Sequence, residues 1–323
     1  MHSRDLIEQY KSYVQDWRRY FHKHPELSNE EFETTKTLAK ELESMGVEVH
    51  VDTERGIGLI GIIHGGKPGK AIALRADIDA LPVHEHNTVD YKSETEGKMH
   101  ACGHDGHMAI LLGAAKMLMS MKDRIEGDVY LAFQPAEETG AGAPDFIKFG
   151  DWYDKIDAIF GGHVWIDLPA GLISVEEGPR MAASSQITIN VKGKQGHGAQ
   201  PHQAIDAIVV ASAIVMNLQT VVSRNVSALD SLVLTIGNIH SGSEWNVIPG
   251  EAKMGGTIRF FDPDQEEYYV ESIRRVVEHT AEAYGATATL EYVKKVPPTI
   301  NDPASSELAE RVVIDTLGKE IGR

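Results

Sequence analysis

The stretch DGHMAILLGAAKMLMSMKDRIEGDVYLAF, residues 105–133, decides the fold class. Its first part, Asp105–Met121, sets Ile110, Leu111, Ala114, Ala115 and Leu118 on one face at helical spacing. Its last part, Asp128–Phe133, is a short apolar run of the kind found in strands buried on both faces. Upstream, residues from about Arg4 to Met45 predict two helices, with Phe21, Leu27, Phe32, Leu38 and Leu42 as their apolar positions. Ser28-Asn-Glu-Glu31 has the form of a capping box opening the second. Val47–Val51, Gly58–Ile63 and Ala71–Leu74 read as strands, the last running into Arg75-Ala-Asp77-Ile-Asp79. Downstream, Ile156–Phe160 is a further strand that ends in Gly161-Gly-His163. Strands alternating with helices predict an α/β domain with a mostly parallel sheet flanked by helices.

After Gly178 the texture changes. Ser185–Val191 alternates, with Ile187, Ile189 and Val191 on one side, and leads into the loop Gly193-Lys-Gln-Gly-His197-Gly-Ala-Gln-Pro-His202. Asp206–Leu218 predicts a helix, Ser231–Ile239 and Glu251–Arg259 two alternating strands, Gln265–Tyr284 a long helix and Ala286–Tyr292 a last strand. Four strands and two helices in this order predict an α+β module with helices on one face of its sheet. The expected organisation is an α/β domain at 1–179 that resumes at 293–323, where Ser305–Leu317 is helical, with the α+β module inserted at 180–292.

Composition narrows the function classes. A net charge of −17 opposes binding to nucleic acid or anionic membranes. No apolar run is read as approaching the roughly 18 residues that span a bilayer. The N-terminus lacks the apolar core of a secretory signal. The single cysteine, Cys102, allows no internal disulfide, so a reducing, cytoplasmic setting is expected.

The strongest chemical signal is His100-Ala-Cys-Gly-His-Asp-Gly-His107, with three His, one Cys and one Asp in eight residues just ahead of a helix. Cys and His suit zinc and other borderline divalent metals, and a helix N-terminus favours the thiolate that a metal requires. Glu137-Glu138 follows a buried strand, where α/β sheets bind ligands. One carboxylate can bind metal while its neighbour acts as general base in metal-assisted hydrolysis. Taken alone, such a pair is usually a solvated surface feature. His163 also follows a strand, and Asp77 at the end of another is a natural partner for a metal-bound His; a structural His and a turn carboxylate fit those positions as well. His197 in its glycine-flanked loop, Asn246 and Arg259 are further candidates, equally readable as a tight turn and a solvated strand end.

With these residues in view, the chain resembles the aminoacylase and carboxypeptidase-type metallopeptidase family, in the amidohydrolase branch with hippurate hydrolases and plant indole-acetyl-amino-acid hydrolases. The matching stretches are Phe21–Leu27, Arg75–Pro82, His100–His107, Pro135–Glu138, Gly162-His163, Gly196–His202 and Asn246–Arg259. The resemblance implies Cys102, His104, Glu138 and His163 as ligands of two divalent ions, zinc or manganese, with Glu137 as general base and Asp77 orienting a ligand. It implies that His197, from a lid module, stabilises the tetrahedral oxyanion, often across a homodimer interface, and that Asn246 and Arg259 hold the substrate's amide and carboxylate. It assigns no role to His202. The implied reaction is hydrolysis of N-acyl-L-amino acids. The alternatives are a dipeptidase or aminobenzoyl-glutamate hydrolase, and a metal-poor binding protein. The family's last ligand His comes from a segment beyond the position of Arg323, so a chain ending there is expected to hold one metal weakly.

Overall fold

The computed structural model describes residues 3–318. The chain divides into two compact units, Met1–Ser174 with Arg311–Arg323, and Val175–Glu310; residues 319–323 of the predicted α/β domain lie outside the described residues. The first unit opens with helices α1 (Ser3–Lys23) and α2 (Phe32–Ser44) and strands β1 (Glu48–Val51), β2 (Leu59–His64) and β3 (Ile72–Asp77). Helix α3 (His104–Met119), strand β4 (Asp128–Gln134), the short helices α4 (Gly142–Phe146) and α5 (Trp152–Lys155) and strand β5 (Ala158–Gly161) follow.

These five strands form one sheet in the order β1-β2-β4-β3-β5. β4 is buried along nearly its whole length, which is why its sequence is continuously apolar. On one face Phe21, Leu38, Leu42, Met108 and Leu112 from α1, α2 and α3 pack against Leu59, Leu131 and Phe133. On the other, Phe146 and Trp152 pack against Ile60, Tyr130 and Ala132. The sheet is mixed, which corrects the expectation of a mostly parallel one. β3 is parallel to β4 and β5, whereas β2 pairs antiparallel with both β1 and β4. The short link from β1 to β2 has no room for the helical crossover that parallel neighbours need.

The predicted capping box is also corrected. Ser28 Oγ donates to Asp79 Oδ2 at 2.6 Å. The first-turn N–H groups of Glu33 and Thr34 go instead to the Glu26 carboxylate, at 3.2 and 2.7 Å. The chain turns through Asn29 at φ 68°, and Glu26 ends up beneath the helix start.

The second unit contains strands β6 (Gly178–Met181), β7 (Ser184–Lys192) and β8 (Gly196–His197), helix α6 (Ala207–Thr220), strands β9 (Leu232–Ser241), β10 (Val247–Ile248) and β11 (Glu251–Phe260), helix α7 (Glu266–Ala283), and strands β12 (Thr287–Val296) and β13 (Thr299–Asn301). Helix α8 (Pro303–Leu317) runs across the boundary between the units. The four long strands make an antiparallel sheet, β12-β7-β11-β9, and α6 and α7 fill the predicted helical positions. Ile187, Ile189 and Val191 on β7 face a core shared with Val210, Ile214 and Leu218 of α6 and Ile273 and Val277 of α7. Asp206 caps α6, its carboxylate accepting from Ile208 N at 2.9 Å. The two-stranded ribbons β6/β13 and β8/β10 are too short for a periodicity signal.

The second unit holds a longer apolar segment than the sequence reading expects. Ala207–Asn225, 19 residues with a mean hydropathy of 1.5, is long and apolar enough to cross a membrane by composition alone. Ser212, Asn217 and Gln219 break the run in the sequence and hide it. One face of this segment lies in the core of the second unit.

Candidate metal centre

Because β3, β4 and β5 run parallel and nearly in register, with Asp77 opposite Gln134, their C-terminal ends open along one edge of the sheet. That edge is where an α/β fold places ligands. Asp77–Asp79 leaves it from β3, Pro135–Glu138 from β4 and Gly162–His163 from β5. Helix α3 begins with His104 itself, after the N-cap Gly103. Gly103 has φ 93°, and a Cβ there would meet Val164 Cγ2 at 2.3 Å. Glycine is therefore required both by the turn and by the close approach of the strand-end segment that carries His163.

Three overlapping donor groups result, each with ligand atoms within 4.8 Å of one another: Cys102, His104 and His163; Asp77, His104 and His107; His104, Glu137 and Glu138. Cys102 Sγ lies 3.4 Å from His163 Nε2. His104 Nε2 lies 3.6 Å from Asp77 Oδ2, 3.8 Å from Glu138 Oε1 and 3.9 Å from Glu137 Oε2. His104 Nδ1 donates to the Asp79 carbonyl at 2.8 Å, and His163 Nδ1 donates to the Val164 carbonyl at 2.5 Å. Each imidazole thus keeps its proton on Nδ1 and turns an Nε2 lone pair toward the cluster, the orientation that outer carbonyls impose on metal-bound histidines. His104 Nε2 and Glu138 Oε1 are buried with no hydrogen-bond partner among the described residues. Buried polar atoms are rarely left so, and a cation is the partner that a lone pair and a carboxylate oxygen share. The residues fit a divalent metal.

The electrostatics agree. Burial opposes a charged His104, but the Asp79 bond, the nearby Cys102 and the fields of Asp77 and Asp79 outweigh it and raise the metal-free imidazole to about 11, so the pocket favours positive charge at Nε2, where a bound cation would take the place of the proton. Burial, then the charges of Asp77 and Glu138, raise Glu137. Burial likewise raises Glu138, against the opposing field of His104. Burial works against a charged Asp77 too, yet His107 and Arg75 hold its carboxyl well below the usual range. The cluster carries surplus negative charge in a desolvated place, which a divalent cation would neutralise.

A family model described as peptidase family M20/M25/M40 matches residues 73–322. The chain belongs to this family. It is 40% identical over 323 residues to thermostable carboxypeptidase 1 of Saccharolobus solfataricus, covering 96% of this chain and 81% of the relative. It is 40% identical over 298 residues to an N-acyl-L-amino acid amidohydrolase of Geobacillus stearothermophilus, covering 92% and 80%. Among solved structures it resembles the Bacillus subtilis YXEP protein, described as a dinuclear metal-binding peptidase of the M20 family, with a TM-score of 0.85 and 36% identity over 95% of this chain and 80% of that one.

In this M20 chain, Cys102, His104, Glu137, Glu138, His163 and Asp77 come together at one sheet edge. Three neighbours were not singled out from sequence. Asp79 accepts from His104 Nδ1 through its carbonyl, and its Oδ1 lies 3.3 Å from the same nitrogen. His107 Nδ1 meets Asp77 Oδ1 at 2.6 Å. Arg75 donates from Nη1 to Asp77 Oδ2 at 2.8 Å and from Nε and Nη2 to Gln134 Oε1. The alternation of Arg75, Asp77 and Asp79 at the end of a strand is the signal that could have flagged two of them. His100 joins none of the donor groups: it is buried, neither ring nitrogen has a partner among the described residues, and burial lowers it to about 4.

His197, Asn246 and Arg259 lie in the second unit. His197 and Asn246 are neighbours, since β8 pairs with β10 and Gly198 N–H donates to the Asn246 carbonyl at 2.8 Å. The exposed His197 accepts the Ala199 N–H at Nδ1, 3.1 Å away, which places its own proton on Nε2 in the neutral ring. Arg259, on β11, is half-buried and bonds through Nη1 to Ser184 Oγ and Thr257 Oγ1 at 2.8 and 2.7 Å.

Proposed function

We propose that this chain hydrolyses the amide bond of N-acyl-L-amino acids, releasing a carboxylate and a free amino acid, with two divalent cations, zinc or manganese, at the sheet edge. The observation that carries the reading is the donor cluster around His104, whose Nε2 and the facing Glu138 Oε1 are buried with no hydrogen-bond partner among the described residues. Cys102, His104, Glu138 and His163 would hold the metals, with Asp77 orienting this set. Bound cations would supply Lewis acidity, polarising the amide carbonyl and making water more acidic. Glu137, raised by burial and by neighbouring carboxylates, takes a proton from the attacking water and delivers it to the leaving amine. His197, whose neutral ring carries its hydrogen on Nε2, is proposed as a donor to the tetrahedral oxyanion. Asn246 is proposed to bind the substrate amide and Arg259 its carboxylate.

A homodimer through residues 180–292 belongs to the same proposal. Ile208, Val209 and Met216 on α6 and Val233 and Ile239 on the edge strand β9 are exposed apolar side chains, and covering an edge strand removes an aggregation hazard. Light scattering should give a dimer mass for the parent and a monomer mass for a Val209→Lys, Met216→Lys double variant.

The resemblance to a carboxypeptidase supports a second reading, in which a peptide rather than an acyl amide is cleaved. A substrate panel separates the two. The protein is loaded with zinc or manganese, its bound metal is counted, and N-acetyl amino acids, N-benzoyl amino acids and dipeptides are assayed. N-acyl substrates should exceed dipeptides in kcat/KM by about tenfold or more, a difference of ~1.4 kcal/mol in transition-state binding. Dipeptides turned over better than every N-acyl substrate would move the chain to the second reading, and no metal binding would remove both.

A further inference from the structure

The peptide group that leads into Glu137 is held by a residue outside the donor set. Glu31, the N-cap position of α2, is fully buried, and its Oε1 accepts the Ala136 N–H at 2.7 Å. Its side chain makes no capping bond to α2, whose first turn is served by Glu26. Helix capping therefore does not account for a carboxylate in this place. Ala136 is buried and has φ 52°, a left-handed conformation that a residue with a Cβ keeps only when its surroundings enforce it. Its carbonyl is tied as well, accepting from Gly142 N and Thr139 Oγ1, both at 3.1 Å. Beyond Glu137, the Glu138 N–H donates to Asp79 Oδ2 at 3.0 Å. Two carboxylates thus grip the backbone on either side of Glu137, Glu31 before it and Asp79 after it.

We infer that Glu31 is a positioning residue for this turn: by accepting the Ala136 N–H it keeps Ala136 left-handed and sets the direction in which Glu137 faces the donor cluster. The inference rests on the proposed role of Glu137 as general base. Glu138 has its own clamp in Asp79, so loss of Glu31 redirects the base and leaves the ligand set in place. Burial raises the Glu31 carboxyl to about 7, with the Ala136 N–H pulling the other way. Oε1 accepts the Ala136 N–H while Oε2 is buried with no hydrogen-bond partner among the described residues, so the Ala136 bond is the interaction that offsets part of the cost of burying this carboxylate.

The test compares Glu31→Leu, which keeps bulk and removes the acceptor, with Glu31→Gln, which keeps an acceptor, and with Glu31→Leu combined with Ala136→Gly. Turnover, KM, bound metal and amide exchange over residues 135–138 are measured for each. Glu31→Leu should lower kcat by on the order of 10- to 100-fold, the scale for a misplaced catalytic group. KM and metal content should hold, and exchange in the turn should accelerate. Glu31→Gln should stay within about threefold of the parent, because a neutral acceptor keeps the bond. Glycine adopts positive φ without a clamp, so the double variant should recover at least about threefold in kcat over Glu31→Leu. If Glu31→Leu fails to fold, Glu31→Asp, which withdraws the carboxylate by one methylene, should give the same split between kcat and KM. Full turnover in the variant used, joint loss of metal and turnover, or no recovery with Ala136→Gly would overturn the inference. Glu137→Gln is run alongside: if it retains full turnover, the role of Glu137 fails and this inference with it, whereas if it is inactive and Glu31→Leu is unimpaired, this inference alone fails.

Discussion

Val164 donates its backbone N–H to His107 Nε2 at 2.9 Å, while His107 Nδ1 meets Asp77 Oδ1 at 2.6 Å. Accepting at Nε2 fixes the proton on Nδ1, so both ring nitrogens are engaged. His107 falls within one of the three donor groups, yet its bonds make it a tie between the end of β3 and the segment that presents His163. Replacing it with Phe keeps the ring's bulk and removes both bonds. His107→Phe should weaken metal binding by roughly 10- to 100-fold, the usual cost of losing an outer partner of a metal site. Competition with a metal-sensitive dye would measure this. Parent-like affinity would show that the tie has no bearing on His163.

Glu137 and Glu138 cannot be assigned by distance, since they lie 3.9 and 3.8 Å from His104 Nε2. Their surroundings differ instead. The Glu138 side chain is 19% exposed and has an oxygen with no hydrogen-bond partner among the described residues, whereas that of Glu137 is 39% exposed. Glu138→Gln and Cys102→Ala should therefore lose metal and turnover together. Glu137→Gln should keep its metal while kcat falls by on the order of 10²- to 10⁴-fold. Metal analysis beside steady-state kinetics checks the split, and equal metal loss in both glutamate variants would abolish it.

The residues that the sequence exposed most clearly are those whose chemistry is concentrated locally. Cys102 and His104 stand in one short segment, and Glu137, Glu138 and His163 each follow an apolar strand that announces itself. The roles of Asp79, His107 and Glu31 depend on bonds to a carbonyl, a backbone N–H and a turn far away in sequence. No local pattern encodes such partners. Glu31 was even readable as half of a capping box, because the same spacing suits a helix start and a turn that sends its carboxylate elsewhere. Strand direction was similarly hidden: β2 has a buried apolar pattern like that of a parallel strand, and only its pairing reveals that it runs the other way. The alternating β7 and β11 were legible because one face of their sheet is covered by helices, so burial follows the period of two.

A network of buried charged groups centres on His22. His22 on α1 is buried, with Nδ1 2.7 Å from Asp105 Oδ2 and Nε2 3.1 Å from Glu85 Oε1. Arg18 Nε adds a contact to the same Asp105 oxygen at 2.9 Å. With a carboxylate at each nitrogen, the ring is best served by a proton on both. The bond to Asp105 raises the His22 pKa, while burial opposes. Asp105 and Glu85 are held below the ordinary carboxylate range despite their burial, so neither titrates near neutrality. Because the folded His22 pKa lies above the unfolded value of about 6.5, its contribution is fully present below that pH. It fades as pH rises through the raised folded value. His22→Gln should therefore cost more stability at about pH 6 than at about pH 9. At the lower pH the cost should be on the order of 1.5–3 kcal/mol, the range for a hydrogen bond to a charged group. Urea unfolding of chelator-treated protein at both pH values measures the difference without metal–ligand titration intruding. An equal cost at the two would mean that His22 is neutral in the folded chain, and that the Asp105 bond is an ordinary one.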